Sequence, residues 1–283
     1  MSLSGRTIIM SGGSRGIGEA IAVRAARDGA NVALLAKTAE PHPALPGTIH
    51  TAAAAIEEAG GQALPLVGDI RDDAFVEEAV ARTVERFGGI DVVVNNASAI
   101  DVSRTEDLPM KKYDLMNDIN ARGSFLLSKL CIEHLRRSDN PHVLTLSPPI
   151  STDPKWFTQH TAYAIAKYGM SLVTLGLAGE LREDGIAANS LWPRTAIDTA
   201  AVRNLLGGME KHSRTPAIMA DAAYEILTRP SRECTGQFFI DDDVLEEAGV
   251  TDFSVYRIGE RDEDLALDFW VEPKGAITGQ LLG

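Results

Sequence analysis

The chain has 283 residues, 45% of them hydrophobic and 24% charged, which suits one large α/β domain or two small ones with a full core. Its net charge of -13, with no basic stripe, excludes a binder of phosphate backbones, so no nucleic-acid partner is expected. Cys131 and Cys234 are too few and too far apart for a disulfide framework and fit a reducing compartment.

The segment from Met1 to Arg6 has no signal-peptide pattern, and no apolar run approaches membrane-spanning length. The six histidines lack metal-ligand spacing. A cytoplasmic protein with no membrane span and no metal is expected.

A short apolar run, Thr7-Ile8-Ile9-Met10, predicts the first strand. The turn Ser11-Gly12-Gly13-Ser14-Arg15-Gly16-Ile17-Gly18 follows, and then an Ala-rich helix to Gly29. Glycines let the backbone of such a turn bend tightly and approach a ligand. The helix start supplies free N–H groups and a partial positive charge, which suits a pyrophosphate. Strand, glycine turn and helix together point to dinucleotide binding. Asn31–Ala36 predicts the second strand, and Pro41, Pro43, Pro46 and Gly47 a non-helical loop. A helix over 49–59, a strand over 63–67 and a helix capped by Asp72 and ended by Gly88-Gly89 come next.

Residues 90–95 predict the fourth strand, and 111–137 a long helix interrupted near Gly123. The fifth strand spans His142–Ser147 and stops at Pro148-Pro149. A helix over 161–181 carries Gly169, Gly176 and Gly179, which predict the close approach of another helix. A strand over 186–192, a helix over 217–228 and a strand over 236–241 complete the pattern. This alternation predicts a Rossmann-type α/β fold over residues 1–241. It is one doubly wound domain with a mostly parallel seven-stranded sheet and helices on both faces. Residues 242–283 depart from it, being acidic yet carrying Phe253, Tyr256, Leu265, Leu267, Phe269 and Trp270. That content exceeds what a solvated tail needs. The extension is expected to pack on its own domain, with a neighbouring subunit or the substrate cleft as the alternatives.

Tyr163 and Lys167 lie four apart, on one face of the predicted helix. A phenol near its ordinary pKa of about 10 is a poor base at neutral pH. A nearby ammonium stabilises the phenolate, so the tyrosine can exchange a proton with an alcohol or carbonyl. Tyr168 has no lysine four residues on. Asn95-Asn96-Ala97-Ser98 ends the fourth strand, Asn120 lies on the long helix, Ser147 ends the fifth strand and Pro193 follows the sixth. In this order and spacing the chain resembles the short-chain dehydrogenase/reductase family, with its Asn, Ser, Tyr, Lys tetrad, from Gly5 to Asp241. The runs Ala36–Pro43, Lys155–His160 and Leu191–Thr199 are similar to the branch named for hydroxysteroid dehydrogenase-like protein 2. Some members of that branch carry a sterol-carrier domain, and lipid carriage is not carried over to this chain.

The resemblance implies that Tyr163 is the acid/base and also a cofactor contact, and that Lys167 bonds the nicotinamide ribose. Asn120 would hold a proton-relaying water, although it also reads as a polar residue at a helix bend. Gly12, Gly16 and Gly18 would form the pyrophosphate turn, lined by Ser14, Arg15 and Ile17. Asp69 and Ile70 would flank the adenine, Asn96 would sit near its ribose, and Ile197 and Thr199 would meet the carboxamide. Asp69 reads equally as a turn residue after Gly68. At the end of the second strand an acidic residue would select NAD(H). Lys37 stands there instead, and with Arg15 it favours NADP(H), NAD(H) remaining possible.

The sequence departs from the family pattern at Ser98 and Arg194, each in place of a usual glycine, and at the substrate-orienting serine. Ser147 is the first choice for that serine and Ser151 the second. The expected activity is interconversion of an apolar alcohol and its ketone or aldehyde. Ile100, Ile150, Trp156, Phe157, Trp192, Ile197, Leu205, Leu206 and Met209 are the expected cleft walls. The rival is a dinucleotide-binding sensor or assembly subunit without turnover. A homodimer or homotetramer is expected.

Overall fold

The computed structural model describes residues 1–41 and 47–280, so Pro43 and Pro46 of the predicted loop lie outside the described residues. The strands are β1 (Thr7–Ser11), β2 (Asn31–Ala36), β3 (Gln62–Val67), β4 (Val92–Asn95), β5 (His142–Thr145), β6 (Ala187–Trp192) and β7 (Phe238–Ile240). They form one sheet in the order β3-β2-β1-β4-β5-β6-β7, and every pair is parallel. The helices are α1 (Gly16–Ala26), α2 (Ile49–Glu58), α3 (Asp73–Phe87), α4 (Met110–Asn117), α5 (Gly123–Leu135), α6 (Thr161–Glu180), α7 (Ala200–Leu206), α8 (Ala217–Leu227) and α9 (Asp241–Glu247).

Alternate strand residues enter two separate cores, because side chains of a strand point to opposite faces. Ile8, Met10, Val32, Leu34, Val92 and Val94 pack with Ile21 of α1, Ile56 of α2 and Ile218 of α8. Ile9, Ala33, Leu35, Val93 and Val143 pack with Val76 of α3, Leu127 of α5 and Leu177 of α6. Burial on both faces explains why these strands read as unbroken apolar runs. Asp72 caps α3 by accepting from the N–H groups of Ala74 and Phe75, and Gly88, at φ 87°, ends it. Strand order reverses at β1, between β2 and β4, and a ligand crevice opens there beyond the carboxyl ends of the strands.

The interruption expected near Gly123 is a π-helical turn over Asp118–Arg122, which joins α4 to α5 and ends at that glycine. Such turns admit an extra residue and often mark functional sites. Two expectations need correction. Of the three α6 glycines, Gly169 alone serves close packing: a Cβ there would lie 2.7 Å from that of Ala121 in the π turn, whereas Gly176 and Gly179 face open space. Finally, Asp241 does not end β7 but starts α9, so the end of the sheet and the start of the extension share one helix. Asp241, Asp242 and Asp243 make up its first turn, where the helix dipole favours negative charge. Beyond it, β8 (Ala266–Leu267) pairs with β9 (Gly279–Gln280).

Candidate active site

The crevice at β1 is a cleft of about 380 Å³ lined by Gly12, Ser14, Arg15, Gly16, Ile17, Lys37, Asp69, Ile70, Asn96 and Thr199. These are the positions expected to hold a dinucleotide, gathered from the ends of β1, β2, β3 and β4 and, for Thr199, from the cap of α7 beyond β6. Gly12 has φ +76°, and a Cβ there would meet the backbone of Ala97 at 2.7 Å. Gly18 stands behind the turn, where a Cβ would lie 2.6 Å from Nδ2 of Asn96. Nδ2 in turn donates to the carbonyl of Gly12 (2.8 Å), locking the end of β4 to the glycine turn. The backbone at Gly16, φ +59°, faces the cleft with only the Thr199 side chain near. The first N–H groups of α1 have no side-chain cap. Uncapped donors at a helix start, beside backbone that a Cβ would crowd, suit a pyrophosphate.

Electrostatics at the adenosine end centre on Asp69. Nη2 of Arg71 reaches its carboxylate at 2.6 Å and Nζ of Lys37 at 3.0 Å. Arg71's hydrogen bonds, and then those of Lys37, hold the Asp69 carboxyl well below the usual range despite partial burial. Arg15 donates to the carbonyl of Gly47.

A second cavity, of about 180 Å³, adjoins the cleft and shares Ile17, Asn96, Ser98, Thr199 and Ala201 with it. Tyr163 and Lys167 of α6 line it, with Ile100, Leu146, Trp192, Ile197, Met219, Asp268 and Phe269. Lys167 is buried; its Nζ donates to the carbonyl of Leu146 (2.8 Å) and lies 5.0 Å from the centre of the Trp192 ring. Burial pulls its ammonium down to about 7, against the nearby charge of Asp268. The Tyr163 phenol is pushed up by burial and then by Asp268. Both influences favour the neutral phenol, the opposite of the lowering expected from Lys167.

Asn120 sits in the π turn, fully buried. Its Oδ1 accepts from the N–H of Ala99 (2.8 Å) and its Nδ2 donates to the carbonyl of Ala99 (3.1 Å), fixing the strand-end loop that carries Ser98. The side-chain amide is thus committed to the backbone. Ser147 is buried, and its Oγ has no partner among the described residues. Neither residue lines the cavity. The Oγ of Ser151, on the half-exposed loop beyond, accepts from the N–H of Asp153 (3.2 Å). Of the expected cleft walls, Ile100, Trp192 and Ile197 line the cavity, whereas Ile150, Trp156, Phe157 and Met209 do not. The side chains of Leu205 and Leu206 lie outside the described residues.

Residues 6–208 match the family model described as short chain dehydrogenase. The chain belongs to the short-chain dehydrogenase family. It is 57% identical over 272 residues to hydroxysteroid dehydrogenase-like protein 2 of Danio rerio, covering 95% of this chain and 65% of that relative. The chain thus spans a little under two thirds of that relative's length. A crystal structure of a short chain dehydrogenase from Mycobacterium thermoresistibile is 58% identical, with a TM-score of 0.91, over 98% of this chain and 100% of that one. The NADH-dependent reductase A1-R', solved as a complex with NAD, is 27% identical, with a TM-score of 0.68, over 84% of this chain and 95% of that one.

The match to the short-chain dehydrogenase model stops at residue 208, yet the site does not. The segment after β8 reaches back across it. Trp270 packs on Tyr163, Tyr168, Trp192 and Phe269, at ring separations of 5.3 to 5.9 Å, and its Nε1 donates to the carbonyl of Trp156. Trp192 donates to the carbonyl of Phe269 (2.8 Å). Trp270 adopts φ 62°, costly for a bulky residue and tolerated only where surroundings fix it. Trp156 and Phe157 therefore lie under the extension and not on the cavity wall. Arg194 anchors this arrangement: its carbonyl accepts from the N–H of Asp268 (2.9 Å), and its guanidinium holds Asp242, Asp243 and the carbonyl of Glu272. The sequence signal for this role was the arginine in place of a glycine, together with the acidic triplet and the aromatic pair in the extension.

Proposed function

We propose that this member of an oxidoreductase family interconverts an apolar alcohol and its ketone or aldehyde, with NADP(H) and with Tyr163 as the acid/base. One observation carries the reading: Tyr163 and Lys167 line a cavity continuous with a cleft shaped for a dinucleotide. A nicotinamide dinucleotide bound there supplies or accepts the hydride. Ile17, Ile197 and Thr199 stand at the junction or in the inner wall, where the nicotinamide end would lie. Tyr163 gives a proton to the carbonyl oxygen, or takes one from the alcohol, and Lys167 holds the ribose and adds positive charge beside the phenol. Asn120 fixes the loop over the site, and Ser147, as orienting serine, would have to turn its unpartnered hydroxyl toward the cavity.

The cavity is smaller than the ~300–1,000 Å³ of typical ligand pockets. A compact or slender substrate enters it as it stands; a fused-ring substrate requires Phe269 to move. Turnover of medium-chain and cyclic carbonyls with NADPH tests the reading. Tight cofactor binding with no turnover on the panel would favour the sensor, which the packing of Trp270 on Tyr163 also supports.

Cofactor choice rests on Lys37, which is largely exposed and free to swing from Asp69 to a 2′-phosphate. Lys37→Asp is expected to weaken NADP binding roughly 10- to 100-fold, the range of a charged hydrogen bond, with little change for NAD. Titration of both cofactors by fluorescence checks this, and equal losses would sink the 2′-phosphate role.

The same reading includes a cytoplasmic homodimer or homotetramer. No helix among the described residues is long and apolar enough to cross a membrane. Phe125 of α5 and Ile165, Leu172 and Leu175 of α6 are exposed large apolar side chains, and a second copy is the occupant proposed for that face. Leu172→Glu is expected to lower the sedimenting mass toward that of the monomer; an unchanged mass would place any subunit contact elsewhere.

A further inference from the structure

The cavity beside Tyr163 contains one carboxylate, and it comes from the extension. Asp268 follows β8, and three hydrogen bonds hold its segment: its own N–H to the carbonyl of Arg194, Trp192 Nε1 to the carbonyl of Phe269, and Trp270 Nε1 to the carbonyl of Trp156. Oδ1 accepts from the N–H of Phe269 (2.7 Å). The other carboxyl oxygen receives no hydrogen bond, and Asp268 forms no ion pair with Lys167 or any other cation among the described residues. Most of the remaining wall is apolar, with Ile100, Leu146, Trp192, Ile197, Met219 and Phe269 prominent in it.

A carboxyl placed in such a wall is costly unless something hydrogen-bonds it. Burial pushes it up to about 7, opposed by the hydrogen bond from the Phe269 N–H and by Lys167 and aided by Asp241. A bound ammonium would have to share the cavity with Lys167, so the complementary ligand group is a neutral donor.

Resting on the oxidoreductase reading, we propose that Asp268 is a specificity-determining residue that accepts a hydrogen bond from a second hydroxyl of the substrate, distinct from the oxygen that reacts at Tyr163. The substrate class is then a hydroxylated ketone or a diol with an apolar body. Among the described residues, the free carboxyl oxygen is the one anionic acceptor in the cavity wall, set apart from Tyr163 and Lys167 by apolar side chains, and a site of this kind discriminates against an analogue that leaves its acceptor unpaired.

Asp268→Asn keeps a side-chain oxygen for the Phe269 N–H but loses the acidic group. The test compares a medium-chain ketone with the same ketone bearing a terminal hydroxyl. The wild type is expected to favour the hydroxylated ketone roughly 10-fold or more in kcat/KM, mainly through KM. Asp268→Asn should bring that ratio close to one. If Asp268 is merely a counter-charge for Lys167, the variant instead lowers kcat for both ketones alike and leaves the ratio intact, which overturns the proposal. Binding is read separately, with the corresponding alkane mono-ol and diol, by quenching of tryptophan fluorescence in the NADP-saturated protein, since Trp192 is in the wall. A diol preference that vanishes in Asp268→Asn upholds the assignment even if no ketone turns over, a result that would count only against the oxidoreductase reading. Equal binding of mono-ol and diol to the wild type overturns it whatever the turnover.

Discussion

Tyr163→Phe is expected to lower kcat by roughly 10²- to 10⁴-fold, the usual contribution of a positioned general acid or base. Cofactor affinity should hold, because the phenol oxygen is the only group removed. Burial keeps the phenol protonated at neutral pH. It is therefore already in the form that donates a proton to a carbonyl oxygen. Oxidation must first remove that proton. The rate of alcohol oxidation is expected to rise with pH across the neutral range, while carbonyl reduction does not rise with it. Tyr168→Phe is the control. Tyr168 packs on Phe157 and Trp270, its hydroxyl is buried without a partner among the described residues, and it does not line the cavity. Its loss should leave kcat within about threefold, as for a residue that makes no contact changing in the transition state. Steady-state kinetics of both variants decide the matter. An unchanged rate in Tyr163→Phe, or an equal loss in both, would remove Tyr163 from the chemistry.

The framework of the fold was legible because its signals are local. A buried parallel strand is a short apolar run, and Gly88, the Ser11–Gly18 turn and Asp72 punctuate the chain where a cap or tight turn is required. The dinucleotide positions could be read for the same reason, since ligands of an open α/β sheet gather at strand ends. What failed to show was set by pairs distant in sequence. Arg71 stands two residues from Asp69, but nothing near Asp69 announces that Lys37, from the end of β2, also reaches it. The π turn at Asn120 is an added residue in a helix with ordinary composition, so Gly123 marked an interruption but not its π-helical form. Trp156 and Phe157 read as cleft walls because Trp270, which bonds the Trp156 carbonyl and packs on Phe157's neighbour Tyr168, lies more than a hundred residues on. The extension itself was recognisable as too apolar for a solvated tail, but composition could not say that Asp268 and Phe269 would enter the cavity.

Arg194→Ala is expected to destabilise the protein by about 3–5 kcal/mol, the cost of breaking a buried ion pair from one side. The side chains of Arg194 and Asp242 are both almost wholly buried. Nε meets both carboxylate oxygens of Asp242 at 2.8 Å, Nη2 meets Asp243 at 2.8 Å, and Nη1 donates to the carbonyl of Glu272 at 3.0 Å. One planar group thus ties the first turn of α9 to the segment beyond β8. A lysine is a point charge without that fork and cannot make these contacts together, so Arg194→Lys should recover only part of the loss. Urea unfolding of the three proteins reads the ranking. Because the backbone carbonyl of Arg194 also holds Asp268, loosening of the extension should expose Trp270 and reduce kcat/KM beyond what the loss of fold stability explains. Protease cleavage within residues 261–275, faster in the variant than in the wild type at equal folded fraction, is the matching observation. Among the described residues, the other cations that reach these carboxylates are Arg214, 3.5 Å from Asp242, and Lys274, 2.6 Å from Asp243. Lys274 is a third exposed, and the Arg214 contact is long. An Arg194→Ala protein as stable as the wild type would mean that those two suffice, together with the backbone hydrogen bonds and aromatic contacts that hold the extension.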